Sequence, residues 1–248
     1  MLSSPPFVRR FARNARGRDL IVGDIHGCFS KLKAQLDRVG FDPLAGDRLF
    51  SVGDLVDRGP ESDAVLAWLD LPWFHPVQGN HERMALLYAA GEQDEPEYAA
   101  NGGGWNIQNR PDRRDEVAQR FASLPIAIEL ETLLGTVGIV HADCPVEAWP
   151  DFIEALESDP FDEETREALI DTAQWSRERC FGMCSEGVEG VRAVVVGHTA
   201  MSRLMRLGNV IYIDTGAWMP DEAREFCLLD AATLQAVAPG LQAHSVSP

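Results

Sequence analysis

The sequence predicts an α/β protein of layered architecture, and three observations carry that expectation. Short apolar runs of strand length recur along the chain, each bounded by Gly, Asp or Asn. Amphipathic segments separate them, the alternation that marks α/β layering. Directly after five of the runs stand Asp, His or Asn, and open α/β sheets build their sites outside the carboxyl ends of their strands.

In chain order, strands are expected at Leu20-Ile21-Val22, Leu49 to Val52, Phe74 to Gln78, Thr136 to Val140, Ala193 to Val196, Val210 to Ile213 and Phe226 to Leu229. The first helix is read from Leu32, Leu36 and Val39 at helical spacing, with Ser30 as its N-cap and Gly40 as its stop. Residues 63–70, 81–90 and 115–123 read as further helices, the second ending before Gly91. Two stretches read as excursions. Residues 91–114 are rich in Gly, Asn and Asp, and residues 147–171 carry ten acidic residues against one Arg. The acidic stretch reads as a solvated helical cap; the alternative is a rim that selects substrate. One domain is expected over residues 19–238, with a basic surface tail at 1–18 and a loose tail at 239–248.

Composition narrows the function classes. With 45% hydrophobic and 25% charged residues in 248, the chain can bury its own core without staples. Net charge is −17, and the five arginines of residues 1–18 leave −22 on the remainder. Such a surface repels phosphate backbones, so no nucleic-acid partner is expected. No apolar run approaches the ~20 residues of a membrane span, so no membrane partner is expected either. Five cysteines without a secretory signal read as reduced thiols in a cytoplasmic protein, and the Cys180/Cys184 pair lacks the further ligands of a zinc knuckle.

The chemistry sits where the strands end. Gly23-Asp24-Ile25-His26-Gly27 follows the first run, and Gly53-Asp54-Leu55-Val56-Asp57-Arg58-Gly59 the second. Gly79-Asn80-His81-Glu82, His141-Ala142-Asp143 and Gly197-His198-Thr199 follow three more. Asp24 and His26 are two apart, so an extended backbone would point both to one side. Any one of these motifs alone reads as a turn Asp or a hydrogen-bonded His; together they read as a metal site. His75 and His244 fall outside them and receive no role. Oxygen and imidazole donors without thiolate suit Mn, Fe, Zn or Co. Six ligands exceed one ion with an open position. They fit two ions ~3.5–4 Å apart that share a carboxylate, the clamp used for in-line phosphoryl displacement.

G-D-I-H-G, G-D-L-V-D-R-G and G-N-H-E together resemble the phosphoprotein phosphatase branch of the calcineurin-like metallophosphoesterases. Asn101 to Trp105, His141 to Pro145, Trp175 to Arg179, Gly197 to Thr199 and Tyr212 to Ala217 extend the likeness to the bacterial and bacteriophage-lambda type of Ser/Thr protein phosphatase, over about residues 19–235. The resemblance implies a central β-sandwich flanked by helices, a four-layer αββα fold with the site on one edge. It implies that Asp24 and His26 hold one metal, that Asp54 bridges, and that Asn80, His141 and His198 hold the second, with Mn²⁺ as the ion. It matches His81 to the general acid, Asp57 to the carboxylate that orients it, and Arg58 and Arg177 to the phosphate-binding arginines. A hydroxide bridging the metals would then attack phosphorus in line, on a phosphoprotein or phosphopeptide carrying phosphoserine, phosphothreonine or phosphotyrosine. Asp143, Asp214 and Glu82 are read as polar neighbours, either orienting ligands or serving turns and caps.

Two other functions fit less of the sequence. Nucleotide hydrolases of the symmetrical diadenosine tetraphosphatase type tend to read A-R-G-P and H-D where this chain has Asp57-Arg58-Gly59-Pro60 and His81-Glu82. A catalytically inactive scaffold for phosphoproteins would lack at least one ligand, and none is missing. The sequence leaves the oligomeric state open.

Overall fold

Strands apolar on every residue must be covered on both faces, and two packed sheets with helices outside achieve this. The computed structural model describes residues 7–158, 163–221 and 223–237. In order, the chain forms β1 (Val8–Phe11), β2 (Asp19–Val22), α1 (Phe29–Arg38), β3 (Arg48–Ser51), a 3-10 turn (Ser62–Ala64), α2 (Val65–Leu69), β4 (Phe74–Pro76) and α3 (Asn80–Ala90). There follow α4 (Glu95–Ala100), α5 (Gly104–Ile107), α6 (Pro111–Ala122), β5 (Ala127–Thr132), β6 (Gly135–Ile139), α7 (Trp149–Glu157), α8 (Glu163–Trp175) and α9 (Glu178–Phe181). The rest is β-structure: β7 (Ala193–Val196), β8 (Met205–Leu207), β9 (Val210–Tyr212), β10 (Leu228–Asp230) and β11 (Gln235–Ala236).

One sheet has six strands in the order β1-β5-β6-β7-β9-β8, the other five in the order β11-β10-β2-β3-β4. Strand alternation sorts the side chains into layers. Ile21 and Phe50 of one sheet meet Val137, Ile139, Val195 and Ile211 of the other in the central core. Leu20, Val22 and Leu49 face outward onto α1, α2, α3 and α6 through Leu32, Leu36, Leu66, Met84 and Phe121. Val194, Val196, Val210 and Tyr212 face the opposite way, onto Phe152, Leu156, Ile170 and Ala173 of α7 and α8. The four-layer α/β sandwich is therefore present. β2, β3 and β4 run parallel, as do β6 and β7, so their carboxyl ends deliver their loops to one edge.

Several local expectations are corrected. The basic N-terminal stretch is no surface tail over Val8–Phe11, which pairs parallel with β5. Val8 is buried, and Arg10 forms ion pairs with Glu129 and Glu157. Its partner strand lies more than a hundred residues away, so nothing local marks it. β5 itself escaped the strand reading although Ile126, Ile128 and Leu130 alternate. Ser30 is not the N-cap of α1; Cys28 is, without a side-chain bond, and the Glu61 carboxylate instead accepts from Ser30 N–H and Oγ–H. The 63–70 helix is split between the 3-10 turn and α2, and the excursion at 91–114 contains α4 and α5. The 115–123 helix begins earlier, at Pro111, where proline suits a first turn.

Within the acidic stretch, residues 149–157 and 163–171 are helical, with Trp149, Phe152 and Leu156 of α7 buried on the sheet. Some of its charge is spent within the fold: Glu157 pairs with Arg10, and Glu167 and Asp171 with Arg83. The proposed tail at 239–248 lies outside the described residues.

His75, on β4, packs against the rings of Phe11 and Phe50 at 4.6 and 5.3 Å. Burial, and then the charges of Arg9 and Arg48, push its pKa down to about 4. The unfolded chain takes up this proton near pH 6.5. The neutral ring's contribution is therefore complete above pH 6.5 and is lost as pH falls toward 4. Urea titrations should show wild type losing about 1–2 kcal/mol more than His75→Phe between pH 7 and 4.5. Parallel loss in both proteins would refute this account.

Candidate metal centre

The site forms where the chain leaves each sheet in conformations that strand geometry does not permit. Seven non-glycine residues among those described have positive φ, and five are His26 (43°), Asp54 (50°), Asp57 (69°), Arg58 (66°) and His198 (62°). Such backbone costs about 1–3 kcal/mol per residue and persists only where its surroundings impose it. It also changes how Asp24 and His26 come together. The strand ends at Val22, and a turn, rather than extended alternation, brings His26 Nε2 to 4.0 Å from Asp24 Oδ2.

Glu82 supplies much of the constraint. At the third residue of α3 it accepts from the backbone N–H of Gly79, Asp54 and Leu55 at 2.8–2.9 Å. One side chain thus caps its helix and ties the β3 loop to the β4 loop. Burial, and next the neighbouring Asp54 charge, push its pKa up to about 7. The backbone carbonyl of Asp54 accepts from Ile25 and His26 N–H, which draws in the β2 loop. Gly197 allows the last approach, since a Cβ there would lie 2.0 Å from Asp24 Oδ1. His198 N–H donates to that carboxylate at 3.1 Å.

All ten candidate residues come to this edge. The donors form two groups, His26–Asp54–His81 and Asp54–His141–His198, all buried, with Asp54 common to both. His26 Nε2 lies 3.5 Å from Asp54 Oδ2, and His141 Nε2 lies 3.3 Å from Asp54 Oδ1. Asn80 Oδ1 is 2.8 Å from His141 Nε2 and 3.0 Å from His198 Nδ1. Beside these groups, His81 Nδ1 meets Asp57 Oδ2 at 2.7 Å, and Trp105 Nε1–H donates to Asp57 Oδ1 at 2.6 Å. The arginines flank the two ends: Arg58 Nη1 lies 2.9 Å from His26 Nε2, and Arg177 Nη2–H donates to the His198 carbonyl at 3.3 Å.

The imidazoles test whether cations fit. His26 Nδ1 and His141 Nδ1 meet the carbonyls of Val56 and Val52, and His198 Nε2 meets that of Trp175. A carbonyl only accepts, so each of these nitrogens carries the proton. The other nitrogen of each neutral ring then turns a lone pair inward, the orientation that metal-ligating histidines require. His141 Nε2, His198 Nδ1 and Asn80 Oδ1 are therefore three acceptors crowded within 3.2 Å of one another. Only a positive charge stabilises such a cluster. The field is right for one. Burial works against a charged His141, yet the Asp54 carboxylate, the Val52 carbonyl and Glu82 together outweigh it and raise its pKa. Burial likewise opposes charge on Asp54, but His141, His81 and His26 together hold its pKa well below the ordinary range. Asp24 is pushed well up, by burial and then by Asp214 and Asp54, as expected of crowded carboxylates without a counter-charge. The donor set fits divalent cations of the Mn, Fe, Zn or Co type.

The polar neighbours divide. Asp143 pairs with Arg179 at 2.8 Å and takes no part in either group. Asp214 accepts from Gly216 N–H, and burial followed by Asp54's charge raises its pKa to about 6. Trp105, the Trp175 carbonyl and Trp218 were not assigned roles from sequence. Trp105 could have been found, because it closes the quoted Asn101-Gly-Gly-Gly-Trp motif, and Trp175 because it opens the quoted Trp175 to Arg179 motif; Trp218 carries no local signal.

Asp54→Asn should lower affinity for both ions by more than about 100-fold, since it removes the one charged ligand common to the two groups. Metal analysis of the purified variant checks this. Two tightly held ions in Asp54→Asn would overturn the shared role.

Comparison with known proteins agrees with this geometry. A family model described as calcineurin-like phosphoesterase matches residues 18–202. Over 200 residues the chain is 37% identical to serine/threonine-protein phosphatase 1 of Salmonella typhimurium, spanning 79% of this chain and 85% of that protein. A symmetrical bis(5'-nucleosyl)-tetraphosphatase of Dechloromonas aromatica is 47% identical over 72 residues, 28% of this chain and 26% of that one. A solved structure provisionally described as a diadenosine tetraphosphatase shares the fold with a TM-score of 0.59 at 24% identity, covering 94% of this chain and 97% of that one. Motifs, donor geometry and these matches converge: the chain belongs to the calcineurin-like phosphoesterases, enzymes built around a dinuclear metal site.

Proposed function

We propose that this chain is a cytoplasmic, manganese-dependent protein phosphatase that hydrolyses phosphoserine and phosphothreonine monoesters. The observation that carries the reading is the pairing of a shared carboxylate, Asp54, with an adjacent His81–Asp57 dyad held at 2.7 Å. The coverage of the Salmonella phosphatase, against a short match to the nucleotide hydrolase, supports a protein substrate.

Asp24 and His26 would hold one cation and Asn80, His141 and His198 the other, with Asp54 contributing to both. When bound, the two cations supply Lewis acidity to the phosphoryl group and bring the pKa of water into the neutral range. His81 keeps its Nδ1 proton against Asp57, so Nε2 is the nitrogen that delivers a proton to the departing alkoxide. Asp57 is buried and accepts from both His81 and Trp105, which fixes the ring's orientation and tautomer. Arg58, beside His26, and Arg177, beside His198, grip non-bridging phosphoryl oxygens, for which a planar fork suits better than an ammonium.

His81→Asn should retain the metals and lose about 10²–10⁴ in kcat on alkyl phosphates, and much less on aryl phosphates, whose leaving groups need no proton. Equal losses on both would refute the acid role. With Mn²⁺ supplied, phosphoserine and phosphothreonine peptides should be better substrates, by kcat/KM, than diadenosine tetraphosphate. The reverse order would assign the chain to nucleotide hydrolysis.

A further inference from the structure

Arg58 is exposed and has an unusual set of supports. Its backbone is fixed in the left-handed region at φ 66°, with Gly102 packed so closely that a Cβ there would lie 2.4 Å from Arg58 N. Its guanidinium, by contrast, forms no ion pair with a carboxylate among the described residues. It meets His26 Nε2 and lies over the ring of Trp218, 4.4 Å from the centroid. The Trp218 ring in turn sets its edge against His26, with centroids 4.7 Å apart at 70°. His26 Nε2 is a candidate metal-ligating atom, so in the loaded enzyme it is unavailable to Arg58. The aromatic face then remains as the support.

The loop that carries Trp218 is itself anchored. Asp214 Oδ1 accepts from Gly216 N–H at 2.8 Å, Lys31 Nζ–H donates to the Ala217 carbonyl at 2.8 Å, and Arg224 Nη1–H donates to the Thr215 carbonyl at 3.1 Å. A ring on a tethered loop makes a fixed platform.

We propose that Trp218 is the positioning residue for Arg58. A carboxylate partner would hold the guanidinium equally well but would occupy two of its N–H groups and cancel its charge. An aromatic face attracts the cation through its quadrupole and touches no N–H, since all five lie in the guanidinium plane. The whole fork and the whole charge stay available for phosphoryl oxygens. This inference rests on the reading of Arg58 as a phosphate-binding residue.

The test uses the full manganese-loaded chain and inorganic phosphate, titrated by calorimetry, beside kcat/KM on phenyl phosphate. Trp218→Leu should weaken phosphate binding and lower kcat/KM about tenfold, ~1.4 kcal/mol, with manganese stoichiometry unchanged. Trp218→Phe, which restores an aromatic face, should recover most of the loss. In an Arg58→Ala background, Trp218→Leu should change phosphate binding no further. Multiplying effects in the double variant, or loss of manganese from Trp218→Leu, would overturn the proposal, the latter by showing that the ring acts through His26. Phosphate binding unchanged in Trp218→Leu but weakened in Arg58→Ala overturns the proposal alone. Unchanged binding in Arg58→Ala overturns the reading of Arg58, and this inference with it.

Discussion

The structure turns on the buried charge of Asp54. Its carboxylate lies within 3.3–3.8 Å of ring nitrogens of His141, His26 and His81, and is almost wholly removed from water. A lone carboxylate so placed would protonate. Positive charge, on the surrounding imidazoles or on cations bound among them, reverses that outcome and holds the group ionised. The anion becomes the common pole of two donor groups, and an ionised oxygen ligand common to both is what a pair of cations needs.

Holding that charge in place has a conformational cost, and the fold distributes it. Five site residues sit at positive φ. Glu82 locks Asp54 and Leu55 from the α3 side, and the Asp54 carbonyl locks Ile25 and His26. The loops after β2, β3 and β4 are therefore tied into one hydrogen-bonded unit. Glycine matters where these loops touch: at Gly197 and at Gly79, a Cβ would lie 2.0 and 2.3 Å from the carboxylates of Asp24 and Asp54. The layers beneath, filled by alternating Val, Ile, Leu and Phe, give this strained edge a rigid base.

Most of the site was legible in sequence because its residues come in short motifs, each attached to a strand that can be recognised locally. The Asp, His and Asn donors follow from motif order, and the His81–Asp57 pair from the family resemblance that those motifs carry. What failed had a common cause. Val8–Phe11 looked like a charged tail because its partner, β5, is remote in sequence. Ser30 looked like an N-cap because Glu61, which binds it from the start of the 3-10 turn, cannot be paired with it by spacing. Asp24 and His26 were expected to share a side by alternation, yet His26 reaches the site through a left-handed turn.

The sequence by itself determined the layered α/β class, the inventory of ligands and their attachment to strand ends, because apolar periodicity and motif spacing are local properties of the chain. Tertiary structure alone decided which ring nitrogen of each histidine faces inward, and that an aromatic face rather than an acid supports Arg58. Those are matters of direct contact between residues as many as 174 positions apart. Backbone carbonyls, loop tethers and close approaches set them, and none of these is encoded in the neighbourhood of the residue it governs.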